Sequence, residues 1–274
     1  NSGFFYSAGA VAGSQALKSI ALSPDYEQDG ILLAGNGNGE VFWSEDNGST
    51  FQPLPPPLTG TIAVAFAPGF KSNKTVYAVS DTQATTGSRK RIYRFIIGRS
   101  DSWESVDSAL PVGSILNQLA VSANGTLYVA NFQPVDTAKA EGGVERSLNP
   151  AYPLSPTFET VTRGLSDGVT LRGLWLRGNQ LWSIDRKNTA VVTYIDSLAL
   201  PVTLTSPADG APGVGTSNIN LEWETLKGAT EYQWQLDHDT DFSSIPAGFE
   251  NNTNASSARL PALETATTYY WRGR

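Results

Sequence analysis

Four times in the first two hundred residues the sequence returns to one plan, an apolar strand, a turn and a second apolar strand. Ile20-Ala21-Leu22 passes through Ser23-Pro24-Asp25-Tyr26-Glu27-Gln28-Asp29-Gly30 into Ile31-Leu32-Leu33. Ile62-Ala63-Val64-Ala65-Phe66 passes through Ala67-Pro68-Gly69-Phe70 and residues 71–74 into Thr75-Val76-Tyr77. A tighter copy joins Leu119-Ala120-Val121-Ser122 to Thr126-Leu127-Tyr128-Val129 through Ala123-Asn124-Gly125, and a fourth joins Leu174-Trp175-Leu176 to Gln180-Leu181-Trp182-Ser183-Ile184. A third strand follows each pair: Val41-Phe42-Trp43, Ile92-Tyr93-Arg94-Phe95, Val144-Glu145-Arg146 and Val191-Val192-Thr193-Tyr194. An aromatic closes the outer turn as Phe51, Trp103 and Phe158, at intervals of 52 and 55 residues. A strand-built repeat of that length makes each unit a small sheet that buries its faces only against its neighbours.

The first outer turn carries the most specific motif. In Gly39-Glu40-Val41-Phe42-Trp43-Ser44-Glu45-Asp46-Asn47-Gly48-Ser49-Thr50-Phe51, a strand meets Asp-Asn-Gly turn chemistry and a second apolar start. Ser44, Asp46, Gly48, Thr50 and Phe51 fit S-x-D-x-G-x-T-[W/F], and the stretch resembles the Asp-box, or BNR repeat. The resemblance implies β-propeller blades, with the box as a structural turn between the two outer strands rather than a catalytic site. Ser100-Asp101-Ser102-Trp103 reads as a shortened relic, and Ser147-Leu148-Asn149-Pro150 leads into a longer loop. Phe4-Phe5-Tyr6-Ser7 and Ala16-Leu17 read as two strands of a partial blade. Four repeats and a fragment are few for a closed ring, so the expectation is an incomplete ring with further blades upstream, the alternative being a small ring closed by the N-terminal hairpin.

Composition agrees with an all-β chain: 26 Gly and 16 Pro punctuate short apolar runs, and charged residues are only 16% of 274. The net charge of -7 and the lack of a basic face argue against nucleic acid. No stretch approaches a membrane span. Zero Cys removes disulfides, thiol nucleophiles and thiolate metal sites, and zero Met, even at position 1, reads as a mature product or an excised segment.

Near Leu200-Pro201 the texture changes. Ile219-Asn220-Leu221-Glu222-Trp223 and Tyr232-Gln233-Trp234-Gln235-Leu236 alternate as half-buried strands. Trp223, and Leu263 with Tyr269 in an L-x5-Y spacing, resemble the core Trp and tyrosine corner of fibronectin type III modules. The expected division is residues 1–200 as propeller blades and 201–274 as a fibronectin type III-like sandwich lacking its last strand.

Candidate chemistry is sparse. Asp237, Asp239 and Asp241 have the spacing that opens an EF-hand loop, but Phe242 and Gly248 stand where the loop needs Gly and Glu. A solvated turn is the preferred reading, with Ca²⁺ as the one weak cofactor candidate. His238 is the single His, which leaves no material for a His-based metal site or a Ser-His-Asp triad. Arg91-Ile92-Tyr93-Arg94 is expected to be exposed charges flanking strand residues, and Ser88-Arg89-Lys90-Arg91 a solvated strand entry. The acids Asp167, Asp185 and Glu145 lie on different repeats with nothing to pair them. Trp175 and Trp182, facing each other across a hairpin, are read as core rather than as a carbohydrate platform. Gly35-Asn36-Gly37-Asn38-Gly39 is a hairpin turn, with no following helix to make a phosphate cradle. The N-x-S/T triplets at Asn47, Asn73, Asn124, Asn251 and Asn254 are turn residues first.

No catalytic residue is assigned. The resemblances imply a non-catalytic extracellular or cell-surface bacterial protein that binds or displays, with carbohydrate or a surface protein as partner. A further expectation is that the open face is covered, either by the C-terminal module docking on the fourth repeat around Val191 to Leu198 or by self-association through an open blade edge. The alternatives are a fragment of a sialidase- or xyloglucanase-like enzyme with its catalytic blades upstream, and a structural surface-layer or adhesion segment.

Overall fold

A computed structural model describes residues 12–107, 109–152, 156–196, 202–226, 229, 231–240 and 245–273. The chain separates into two compact units, Asn1–Ile195 and Asp196–Arg274. Phe4-Phe5-Tyr6-Ser7 lies outside the described residues.

In the first unit, the large-small alternation of Ile62-Ala63-Val64-Ala65-Phe66 shows how the sheets are sorted. It forms a strand whose Ile62, Val64 and Phe66 are buried against Leu33, Val41 and Leu54 of the preceding sheet. Ala63 and Ala65, on the other face, pack with Leu116, Leu127 and Val129 of the following one. The first sheet is β1 (Leu17–Leu22), β2 (Leu32–Asn36), β3 (Val41–Ser44) and β4 (Gln52–Leu54). The second is β5 (Ile62–Phe66), β6 (Thr75–Ser80), β7 (Ile92–Ile96) and β8 (Glu104–Ser105). The third is β9 (Leu116–Val121), β10 (Leu127–Asp136), β11 (Glu141–Ser147) and β12 (Glu159–Val161). The fourth has three strands among the described residues: β13 (Leu171–Arg177), β14 (Gln180–Asp185) and β15 (Ala190–Ile195). Leu17 thus opens β1 and does not belong to a separate strand before it. All pairs are antiparallel and in chain order, so each sheet is a meander.

The sheets pack in succession by one rule. The second strand of each lies against the first strand of the next: β2 against β5, β6 against β9, β10 against β13. First strands also neighbour one another, β1 by β5, β5 by β9, β9 by β13. Small radial meanders stepping round by their innermost strands are the blades of a β-propeller. The Pro-containing turns of the first two sheets each hold one helical turn, α1 (Tyr26–Asp29) and α2 (Phe70–Asn73), opened by the aromatic. Gly30 at φ 62° and Lys74 at φ 52° end them in the left-handed region, each donating its N–H to the aromatic's carbonyl.

The arginines differ from the sequence expectation. Arg91 and Arg94 are 4% and 6% exposed, so neither is a solvated flank. The Arg91 guanidinium donates to the carbonyls of Thr82, Gln83, Ser88 and Lys90, closing the loop before β7. Arg89 is spent on the carbonyls of Leu110 and Ala109. Arg94 pairs with Glu104 at 2.6 Å and donates to Pro150 and Tyr152 of the third sheet's loop. Arg146, at the matching place on β11, pairs with Glu159 and donates to the Tyr194 hydroxyl of β15. A buried guanidinium can be satisfied this way because its five donors match several carbonyls at once. Each of these third-strand arginines therefore ties its blade to the next.

Among the described residues, the second unit holds two three-stranded antiparallel sheets. One is β16 (Leu204–Ser206), β17 (Asn220–Trp223) and β20 (Ser257–Arg259); the other joins β18 (Tyr232–Asp237), β19 (Glu250–Thr253) and β21 (Tyr270–Gly273). Leu221 and Trp223 from the first meet Tyr232, Trp234 and Leu236 from the second in one core. The Tyr269 hydroxyl accepts the Glu264 N–H at 3.1 Å, and Leu263 packs against the same core.

Candidate functional site

A recess of the first unit lies along the innermost strands. It is a cavity of about 1120 Å³ walled by β1, β5 and β9, with Lys18, Asp81, Asn117, Gln118 and Arg172 as its longer polar side chains. A second recess of about 510 Å³ shares Asp81, Asn117, Gln118 and Arg172 and runs on to Phe132, Trp175 and Ile184. The polar groups arise where inner strands meet and their edges need satisfying. Asn117 donates its amide to the Leu171 carbonyl at 3.2 Å, and Gln118 accepts the Leu174 N–H at 3.1 Å, which ties β9 to β13. Ser19 does the same for β1 and β5, donating to the Ile62 carbonyl at 2.7 Å. Asp81 accepts the Thr61 N–H at 2.6 Å. Lys18 and Arg172 are exposed. Asp81 is the one carboxylate among the described residues that line either recess.

Trp175 is placed otherwise than expected. Trp175 and Trp182 pair across β13 and β14, but Trp175 is 55% exposed and stands at the rim of the smaller recess, not in a core. The sequence pattern puts a Trp at this register on the sheet; it does not say whether another sheet covers that face.

The turn at Ser44 to Thr50 is closed by its own side chains. The Ser44 hydroxyl donates to Asp46 Oδ1 at 2.8 Å and accepts the Gly48 N–H at 2.9 Å. Asp46 in turn accepts the Thr50 N–H at 2.8 Å and the Thr50 hydroxyl at 2.7 Å. These bonds, led by the Thr50 N–H, hold the Asp46 carboxyl below its ordinary range. Phe51 is half-buried. Asp46 lines neither recess.

The third blade holds a counterpart, of which the sequence reading named Ser147, Asn149 and Phe158 but not Thr157. Asn149 accepts the Thr157 N–H at 3.1 Å and the Thr157 hydroxyl at 3.2 Å, while the Ser147 hydroxyl donates to it at 3.3 Å. Ser147, Asn149, Thr157 and Phe158 thus repeat the parts played by Ser44, Asp46, Thr50 and Phe51, with seven residues between Asn149 and Thr157 in the sequence where three separate Asp46 from Thr50. The signal that could have found Thr157 is the Thr-Phe pair before β12. In the second blade, Ser100 accepts only the Ile96 N–H at 3.0 Å, in keeping with a shortened turn.

The candidate acids separate. Asp167 is fixed by the Thr137 N–H and hydroxyl, which hold its carboxyl low. Asp185 closes the turn at Lys187 and Asn188. Glu145 is fully buried on β11, accepting from Asn131 at 2.9 Å and from the Thr160 hydroxyl at 2.8 Å. Burial pushes its carboxyl up to about 7, and nearby Asp107, itself buried and raised by burial, adds to the shift. In the second unit Asp237 is buried and accepts the His238 N–H, Asp239 is exposed, and Asp241 lies outside the described residues. Among the described residues no three His, Cys, Asp or Glu side chains gather as a metal site, and no helix is long and apolar enough to cross a membrane.

No protein-family model matches the chain, and no curated protein matches it. Solved structures with similar strand arrangements include the computationally designed Ika4 protein, at 14% identity and TM-score 0.45 over 70% of this chain and 99% of that one. A chain of the nidogen/laminin complex follows at 14% and 0.48, over 68% of this chain and 61% of that one. The Cps50 (Swd1) β-propeller domain of Myceliophteria thermophila gives 14% and 0.46, over 78% of this chain and 59% of that one. The chain thus spans about three fifths of the length of the latter two.

Proposed function

We propose that this is a non-catalytic binding protein, secreted or displayed at a cell surface, whose ligand is a carbohydrate held along the innermost strands. The observation that supports it is the chemistry of the recesses: cations at Lys18 and Arg172, a single carboxylate at Asp81, amides at Asn117 and Gln118, and an exposed indole at Trp175. Amides and charges that fix hydroxyls, beside an aromatic face that takes a sugar ring, suit a polyhydroxylated ligand. Glycoside hydrolysis ordinarily needs two facing carboxylates, and one acid does not supply them.

The finer family readings belong to the same proposal. The bonds among Ser44, Asp46, Gly48 and Thr50 support an Asp-box turn. The bond from Glu264 N–H to the Tyr269 hydroxyl, beside Leu263 and Trp223, supports a fibronectin type III-like second unit.

A glycan array probed with the whole chain tests the function. Selective capture of a set of oligosaccharides, released by Arg172→Ala, is the expected result. Turnover of a captured glycan would replace this reading with that of a carbohydrate-active enzyme. Capture of nothing would leave a structural segment.

A further inference from the structure

The two end blades present apolar residues to water at positions that are buried in the blades between them. In the second blade, Val64 and Phe66 of the first strand are each 6% exposed because the first blade covers them. Counting from the Ser-Pro and Ala-Pro turns that follow, their counterparts in the first blade are Ile20 and Leu22, which are 69% and 53% exposed. At the other end the pattern is reversed. Tyr77 and Val79 of β6 are buried against the third blade, and their counterparts on β14 are Trp182 and Ile184. Ile184 is 41% exposed, and Val191 and Ile195, on the same face of the fourth sheet by the register Ile184↔Val191 and Gln180↔Ile195, are 69% and 65% exposed.

These two faces are the two halves of one interface, the contact of a second strand with the next blade's first strand that recurs three times within the chain. Among the described residues, no sheet packs on the fourth blade as a follower and none on the first as a predecessor. We infer that the open face of the fourth blade is occupied by the first blade of a second copy of this chain, so that two copies continue each other head to tail. The contact is heterologous, and made twice about a two-fold axis it closes. Two copies of four blades give eight, within the usual range of roughly four to eight blades for a closed propeller. Closure covers both faces at once, whereas a symmetric contact through the fourth blades alone would leave Ile20 and Leu22 in water.

Sedimentation of the whole chain, with Ile184→Glu and Ile20→Glu variants beside it, tests this. The expected mass at tens of micromolar is twice the 29.3 kDa of one chain, and each substitution should return it to one. Both sites are exposed within one chain, so the variants should keep the far-UV spectrum and thermal midpoint of the monomer; Val191→Glu and Leu22→Glu serve if either does not. A parent chain that stays monomeric overturns the inference. So does a dimer broken by Ile184→Glu but not by Ile20→Glu, which would be face to face, or a mass that climbs past two chains, which would be an open array.

Discussion

Asp46 and Glu145 are carboxylates that folding treats in opposite ways. Asp46 gains two donors from Thr50 and one from Ser44, which favour its ionised form. Its folded pKa lies below the unfolded value, so its contribution is present above about pH 4 and is lost as pH falls through the folded value. Asp46→Ala should lower the thermal midpoint by about 2–4 °C at neutral pH, with less difference from the parent at the acid end and no change in ligand capture. Melting curves from pH 2 to 7 check this; loss of ligand without loss of stability would remove Asp46 from its structural role. Glu145 has its folded pKa raised from 4.5 to about 7, so it favours the fold fully below pH 4.5 and progressively less up to pH 7. The difference is on the order of 3 kcal/mol. Glu145→Gln keeps an acceptor for Asn131 and offers a donor to the Thr160 hydroxyl, as the protonated acid does. Urea unfolding should find the variant more stable than the parent at pH 8 and about equal at pH 4; equal stability at both would show that Glu145 carries no such penalty.

At the scale of the elements, the strands of the blades were legible because β-branched and aromatic runs alternate with a period of two and turn residues stand between them. The Ile62 to Phe66 run even reveals which neighbour each face meets, through its alternation of large and small residues. The turn bonds at Asp46 were legible too, since all the partners lie within six residues. The matching turn at Asn149 was legible only in part, because its Thr157 partner is eight residues away. Asn149→Asp would put a charge-assisted acceptor where a neutral amide now serves. It should raise stability by up to about 1 kcal/mol above pH 5, measurable as a shift of the urea midpoint at constant slope; a lower midpoint would mean that Asn149 Nδ2 has a partner the acid cannot keep. The buried arginines were misread for a similar reason. Local sequence marks Arg94 as a surface charge, yet two of the carbonyls that satisfy it lie 56 and 58 residues on. Arg94 and Arg146 also show that a blade is fastened to its neighbour by long donors as well as by apolar faces.

For the molecule as a whole, sequence periodicity conveyed the meander repeat, but not the recess along the innermost strands. Lys18, Asp81, Asn117, Gln118 and Arg172 come from four blade repeats or the loops beside them, and no local spacing brings them together. Trp175 was invisible as a surface residue because a Trp on a half-buried strand reads alike whether or not a further sheet covers it. The central claim is that this recess binds a polyhydroxylated ligand without transforming it. Calorimetric titration of a captured oligosaccharide into the parent chain, Arg172→Ala and Asp46→Ala tests it most directly. The expected result is saturable binding by the parent with the sugar recovered intact, a loss of roughly tenfold or more in affinity for Arg172→Ala from one charge-assisted bond of about 1.5–3 kcal/mol, and unchanged affinity for Asp46→Ala. Equal affinity in Arg172→Ala, or a weakened site in Asp46→Ala at unchanged stability, would contradict it.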